Sequence, residues 1–225
     1  MNLWKRRGYY YDKENPGGDN EKPDRRKLIV GDFGCREFES INKWQIDEKI
    51  DGTNIQIMWN PNDPLAPRFG GRTDNAQIPT KLFQYLKETF TREKLLEHFS
   101  EPGTIVFFGE GYGAKIQKCG SRYRNDQSFI LFDVVIDDIW LEKANVIEIA
   151  QKMGIAHTVN QMILTTNEVV EFVKSKPISC VSVDKTLVIE GVIARSWPLM
   201  RFRVDDKPIM FKLKCEDLEK NLESA

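Results

Sequence analysis

Glu48-Lys49-Ile50-Asp51-Gly52-Thr53-Asn54 has residue types and spacing suited to covalent chemistry on phosphorus. A lysine whose amine is free attacks carbonyl carbon or phosphorus, and a rigid backbone holds it in reach of a substrate. On either side, Trp44 to Glu48 alternates apolar and polar residues as a half-buried strand does, and Ile55, Ile57 and Trp59 continue the alternation. Asp51-Gly52 between two such runs predicts a tight hairpin with Lys49 at its mouth. Read alone, Lys-x-Asp-Gly is also what a surface lysine beside a turn looks like.

Other segments collect polar groups at the ends of apolar runs. Ile105 to Phe108 leads through Gly109 to Glu110, a carboxylate placed for a ribose hydroxyl or a magnesium ion. Phe132-Asp133 closes an apolar run with an aromatic face beside a carboxylate. Glu190 follows Val188-Ile189 in the same way and suits a hard, oxygen-seeking cation. Lys212 and Lys214, at i and i+2, share one face of a predicted strand. Two ammonium groups there repel unless an anion lies between them, which fits a phosphate; an edge strand guarded by lysines reads the same way. Between Gly111 and Asn125, Lys115, Lys118, Arg122 and Arg124 occur with Tyr112 and Tyr123 and without a carboxylate. That is a local footprint for a polyanion or a solvated loop. Gly109, Gly111 and Gly113 do not have dinucleotide-fold spacing, and no Gly-Lys-Ser/Thr follows them.

The elements that must position these groups follow from periodicity. Residues 1–27, with Tyr9 to Tyr11 and the turn-forming Asn15 to Asn20, read as an irregular arm. Strands are predicted over 28–30, 44–48, 55–59, 104–109, 129–136, 186–194 and 208–213. Thr80 is placed to cap a helix whose stripe is Leu82, Phe83, Leu86 and Phe90, continued after a break by Leu95, Leu96 and Phe99. Further helices are expected over 142–153, stopped by Gly154, over 168–174, capped by Asn167, and over 216–222. The fold class is α+β, with two mainly antiparallel sheets flanked by helices rather than regular βαβ units.

Composition bounds the setting. The 225 residues are 40 % hydrophobic and 30 % charged with a net charge of −1, so any nucleic-acid footprint must be local. Four scattered cysteines and two histidines offer no zinc spacing and favour a reduced, cytoplasmic location. No signal peptide or membrane-spanning run is expected.

Taken in order, these segments resemble the covalent nucleotidyltransferases: RNA ligases, DNA ligases and capping guanylyltransferases. Lys49-Ile50-Asp51-Gly52 is similar to motif I, Gly71-Arg72-Thr73 to the arginine motif after it, and Phe108-Gly109-Glu110 to motif III. Phe132-Asp133 is similar to motif IIIa, Glu190-Gly191 to motif IV, and Lys212-Leu213-Lys214 to motif V. Thr53-Asn54 and Lys115-Ile116-Gln117-Lys118 lean toward the nick-sealing RNA ligases of phages.

The resemblance implies an adenylyltransferase domain over 28–225 with a nucleotide cleft between its two sheets. It implies ATP and Mg2+ or Mn2+ as cofactors, AMP carried covalently on Lys49, and RNA or a nicked duplex with 5′-phosphate and 3′-hydroxyl ends as substrate. Glu110 would hold the ribose, Phe132 would stack on adenine, and Glu190, with Glu110 as a second carboxylate, would organise the metal. Lys212 and Lys214 would grip the α-phosphate, and Arg72 would position the sugar and the reacting strand end. Glu48, Asp51, Asn54 and Arg195 match motif-adjacent positions. Asn54, Lys115, Lys118, Arg122 and Arg124 would touch nucleic acid. The charges fit phosphoryl transfer, which needs equatorial oxygens neutralised and groups held in line. Neighbouring cations also disfavour the ammonium form of Lys49. Neither the oligonucleotide-binding barrel of DNA ligases nor the helical C-terminal domain of phage RNA ligases is expected after motif V, so a partner protein could supply strand binding. A DNA ligase core, a capping-type guanylyltransferase and an inactive binding domain of the same fold remain alternatives.

Overall fold

The computed structural model describes residues 1–6, 28–73, 75–158 and 162–222. The chain first forms β1 (Trp4–Arg6), β2 (Leu28–Phe33), α1 (Glu37–Ser40) and β3 (Trp44–Glu48). Next come β4 (Thr53–Trp59), β5 (Arg68–Gly70), α2 (Thr80–Thr89), α3 (Arg92–His98), β6 (Ile105–Gly113), α4 (Gly120–Tyr123), β7 (Gln127–Ile136), β8 (Ile139–Trp140), α5 (Lys143–Met153) and β9 (Ala156–His157). The last elements are β10 (Met162–Leu164), α6 (Thr166–Lys174), β11 (Gly191–Ser196), β12 (Met210–Lys214) and α7 (Cys215–Leu222). They divide into two units, one of Met1–Lys49, Asn160–Ile178 and Val188–Ala225, the other of Ile50–Val159 and Ser179–Leu187.

The first unit is built on a four-stranded antiparallel sheet in the order β10-β3-β11-β12. Trp44 and Ile46 of β3, Val192 and Ala194 of β11, and Phe211 and Leu213 of β12 alternate onto one buried face. Val169 and Val173 of α6 close over it, and the Trp44 and Phe211 rings meet edge-on at 4.7 Å. Residues 1–6, expected to be irregular, instead bury Leu3 and Trp4 and pair β1 with β2. Two large apolar side chains draw the backbone into the core, and strand pairing then satisfies its polar groups. Residues 7–27, including Tyr9 to Tyr11 and the turn-forming stretch, lie outside the described residues.

The second unit carries the sheet β5-β4-β6-β7-β8, to which β9 adds in parallel beside β7. Ile55, Ile57, Trp59, Phe107, Phe129 and Leu131 face the buried residues Leu82, Leu86 and Phe90 and, from α5, Val146, Ala150 and Met153. Two mainly antiparallel sheets with helices are therefore what the α+β pattern builds.

The hairpin at Asp51-Gly52 does not form. Strand β3 already has β10 and β11 as neighbours, and β4 has β5 and β6, so the two lie in different sheets. The favoured two-residue hairpin needs positive φ at both central positions. That geometry occurs instead at Asp137-Asp138, with φ of 46° and 66°, between β7 and β8. Gly52 is required by a close approach: a Cβ there would lie 2.3 Å from the Gly111 carbonyl oxygen of β6.

Smaller corrections concern helix and strand ends. Thr80 is the first helical residue after Pro79 rather than a cap, and Phe83 and Leu96 face outward. Thr165, not Asn167, caps α6 in a reciprocal box with Glu168. The strand expected over 186–194 begins only at Gly191. Gly154 does end α5, in the left-handed conformation.

Candidate active site

Three distant segments of the first unit meet at one carboxylate. Lys49 follows β3 directly, and its N–H donates to the Gly191 carbonyl at 2.9 Å, extending the pairing of β3 with β11. Cys215 N–H donates to the Glu190 carbonyl at 3.0 Å, which ties the residue before β11 to the end of β12. Gly191 permits this closeness, since a Cβ there would lie 2.2 Å from the Leu213 carbonyl oxygen. Between these backbone anchors the Lys49 Nζ donates to Glu190 Oε2, and the Lys214 Nζ lies 2.6 Å from Glu190 Oε1. The side chains are 22 %, 20 % and 24 % exposed for Lys49, Glu190 and Lys214, enough shielding for these pairs to matter. Burial works against the Lys214 ammonium, but Glu190, assisted by Glu216, more than offsets it and holds the group above its ordinary value.

Of the other first-unit candidates, Lys212 is in register with Ile193, and its backbone N–H donates to the Met1 carbonyl at 2.8 Å. Strand alternation puts its side chain on the same sheet face as that of Lys214. Arg195 is buried on β11, level with Gln45 and Met210. Glu48 is buried in register with Val192, so alternation turns it toward the side of Trp44 and Ile46.

The second unit holds the remaining candidates. Asn54 of β4 is directly opposite Glu110 of β6, which is opposite Ile130 of β7. Asp51 N–H donates to the Tyr123 hydroxyl at 3.4 Å, and Arg72 is exposed just beyond β5. Phe132 occupies a β-bulge: Phe108 pairs with Asp133 and Gly109 with Leu131, leaving Phe132 as the extra residue. A bulge re-aims the inserted side chain, and Phe132 is half-buried between the buried Leu131 and Asp133.

Sequence reasoning missed the residue that supports this bulge. Lys143, the first residue of α5 and only 4 % exposed, donates to the Phe132 carbonyl at 3.0 Å and to Thr158 Oγ1 at 2.6 Å. The signal was present, because a lysine at a helix N-terminus opposes the helix dipole and needs local acceptors.

The basic stretch divides. Arg122 Nε donates to Asp184 Oδ2 at 2.7 Å, and Arg124 makes a fork to Asp126 and reaches the Tyr112 hydroxyl at 3.4 Å. Hydrogen bonds from Arg124 hold the Asp126 carboxyl below its ordinary range. Lys115 and Lys118 are exposed.

Among the described residues no cluster of three or more His, Cys, Asp or Glu side chains could hold a metal ion. A single carboxylate such as Glu190 fits the other common arrangement, in which a magnesium-like ion takes one or two carboxylates and completes its shell with substrate phosphates. No helix among the described residues is long and apolar enough to cross a membrane.

The fold agrees with a sequence-family assignment. The RNA ligase family profile matches residues 42–214, and the chain belongs to the RNA ligase family. Among solved structures it is similar to the Naegleria gruberi RNA ligase. An apo mutant of that enzyme is 18 % identical with a TM-score of 0.60, the match covering 83 % of this chain and 54 % of the other. A mutant with ATP and Mn is 17 % identical with a TM-score of 0.59, covering 84 % and 54 %. A mutant with AMP and Mn is 17 % identical with a TM-score of 0.58, covering 84 % and 55 %. The chain thus spans about half the length of these relatives. No curated protein matches it by sequence.

Proposed function

We propose that this chain is an ATP-dependent RNA ligase that carries AMP on Lys49 and joins 5′-phosphate to 3′-hydroxyl ends. The supporting observation is the meeting of Lys49, Glu190 and Lys214, contributed by three separate motifs, around one shared carboxylate. The family assignment supports ligase chemistry, and the neighbours solved with ATP or AMP and Mn support an adenine nucleotide and a divalent ion.

In this reading the free amine of Lys49 attacks the α-phosphorus of ATP. An N–P bond forms, the bond from the α-phosphorus to the oxygen bridging it to the β-phosphate breaks, and pyrophosphate leaves. The proton that Lys49 must lose lies in its hydrogen bond to Glu190. AMP then passes to the 5′-phosphate of a polynucleotide with Lys49 as leaving group, and a 3′-hydroxyl displaces AMP to close the strand. Lys212 and Lys214 offset the charge on the α-phosphate oxygens. Glu190 would hold a divalent ion together with phosphate oxygens, and the ion would neutralise charge on the transferring group. Arg72, Glu110 and Phe132 would take the sugar, ribose and adenine roles of their motifs, and Asp51 and Asn54 would support motif I; Arg195 shares the sheet face of Lys212 and Lys214, whereas Glu48 turns to the opposite, buried face and does not join them. Thr53-Asn54 and the Lys115–Lys118 segment favour a nick-sealing RNA ligase of the phage type.

The test is incubation with magnesium and each α-labelled nucleotide, followed by denaturing electrophoresis. ATP should label the chain through an acid-labile, alkali-stable phosphoramidate. Labelling by GTP alone would indicate a capping-type enzyme, and no labelling by any nucleotide would refute transfer chemistry altogether.

A further inference from the structure

A concave pocket of about 270 Å3 in the second unit is lined by Lys81, Ala114, Lys115, Asn125, Asp126 and Gln127. Its walls are pinned. Ala114 N–H donates to the Asp126 carbonyl at 3.0 Å, and the Gln127 side-chain amide donates to the Ala114 carbonyl at 2.8 Å. The one carboxylate in the lining, Asp126, is already bridged by Arg124. Among the described residues, neither Lys81 nor Lys115 is paired with a carboxylate, so the pocket presents two uncompensated ammonium groups.

Both lysines occupy positions that disfavour them. Lys81 is in the first turn of α2, where the helix dipole repels a cation. Lys115 has φ of 67°, a left-handed conformation that costs a non-glycine residue about 1 kcal/mol. A bound anion would offset the first penalty. Arg122 and Arg124, adjacent in sequence and equally basic, are instead tied to Asp184 and Asp126.

We propose that the Lys81–Lys115 pocket binds a backbone phosphate of the RNA strand being sealed, and that the basic stretch acts on RNA through its lysines rather than its arginines. This rests on the ligase reading, but binding can be measured without ligation. The probe is a fluorescent single-stranded RNA oligonucleotide, with its dissociation constant measured by anisotropy between 50 and 200 mM salt. The variant is Lys81→Gln with Lys115→Asn, asparagine being tolerated at positive φ. Losing this one phosphate contact should flatten the slope of log affinity against log salt by about 0.7, the value for one phosphate on a single strand. Over that fourfold salt range the wild type should therefore lose about 2.6-fold more affinity than the variant.

Lys152→Gln, a control on the exposed face of α5, should leave the slope unchanged, and the melting temperature checks that each variant is folded. An unchanged slope in the folded double variant, with wild type binding RNA, overturns the pocket assignment alone. Wild type that shows no salt-dependent RNA binding overturns it together with the polynucleotide reading. If the double variant weakens ATP binding more than RNA binding, the pocket serves the nucleotide and the proposal is wrong.

Discussion

Replacing Glu190 by Gln separates catalysis from scaffolding. Both Glu190 oxygens accept from ammonium groups, Oε2 from Lys49 and Oε1 from Lys214. Glutamine keeps the volume but offers one acceptor and one donor, so one ammonium must face an NH2. The remaining hydrogen bond is also weaker, because charge-assisted bonds are about twice as strong as neutral ones. With all three side chains about four-fifths shielded, the net loss should be about 1–2 kcal/mol, above an exposed pair and below a buried one. For a chain of this size that lowers the melting temperature by about 2–8 °C. Adenylylation should fall by about 100-fold or more, beyond what such a shift explains in a folded protein. Adding Lys214→Met should recover much of the stability, since it removes the stranded ammonium, and the double-mutant cycle should give a coupling of about 1 kcal/mol. It should not recover adenylylation. Thermal melts and single-turnover labelling with α-labelled ATP measure both quantities. A folded Glu190→Gln protein that adenylylates at the wild-type rate would refute the reasoning and leave Glu190 a structural strand end.

Lys49→Ala should abolish labelling, and Lys49→Arg should do the same, because a guanidinium stays protonated; label surviving either change would mean a different nucleophile. Lys143→Met should cost about 1–3 kcal/mol by leaving the Phe132 carbonyl without its donor and should raise KM for ATP more than it lowers kcat, with Lys143→Arg restoring part of the affinity; equal effects on both constants would reduce Lys143 to scaffolding. Gly109→Ala should destabilise by about 1–3 kcal/mol in urea denaturation, since its Cβ would lie 2.2 Å from the Phe129 ring and 2.4 Å from the Ile130 carbonyl oxygen; a neutral result would show that the β6–β7 backbone shifts there at no cost. Hydrogen bonds from Thr186 and then Arg122 depress the Asp184 carboxyl to about 2 from an ordinary 3.8, so its contribution to stability is complete above 3.8 and is lost as pH falls through about 2. A carboxyl NMR titration should find that midpoint in wild type and a higher one in Arg122→Gln.

The candidate site residues were more legible than the chain's connectivity. Lys49, Glu190 and Lys214 could each be singled out because a charge at the end of an apolar run is a local anomaly, visible without knowing which strands pair. The Asp51-Gly52 hairpin failed for the opposite reason: pairing is decided by competition among strands far apart in sequence, and β3 found β11 while β4 found β6. The bulge at Phe132 was hidden in a nearly continuous apolar run, where alternation gives no register. Its outcome reverses simple hydropathy, with Asp133 buried and Phe132 partly exposed.

Two lysines carry a signal that was readable and was not read. Lys143 and Lys81 both sit in the first turn of a helix, where exposed N–H groups and the dipole already supply positive charge. Natural helices favour acids there, so a lysine at that position is mildly disfavoured unless an acceptor compensates it. Lys143 is buried and finds its acceptors within the protein, the Phe132 carbonyl and the Thr158 hydroxyl. Lys81 is exposed on the rim of a pocket that also holds Lys115, and no carboxylate among the described residues answers it. The same local misfit therefore has two resolutions. Where the chain supplies the acceptor, the lysine fixes architecture; where it does not, as at the exposed Lys81, the ammonium is left to water or to an anion such as the strand phosphate proposed above.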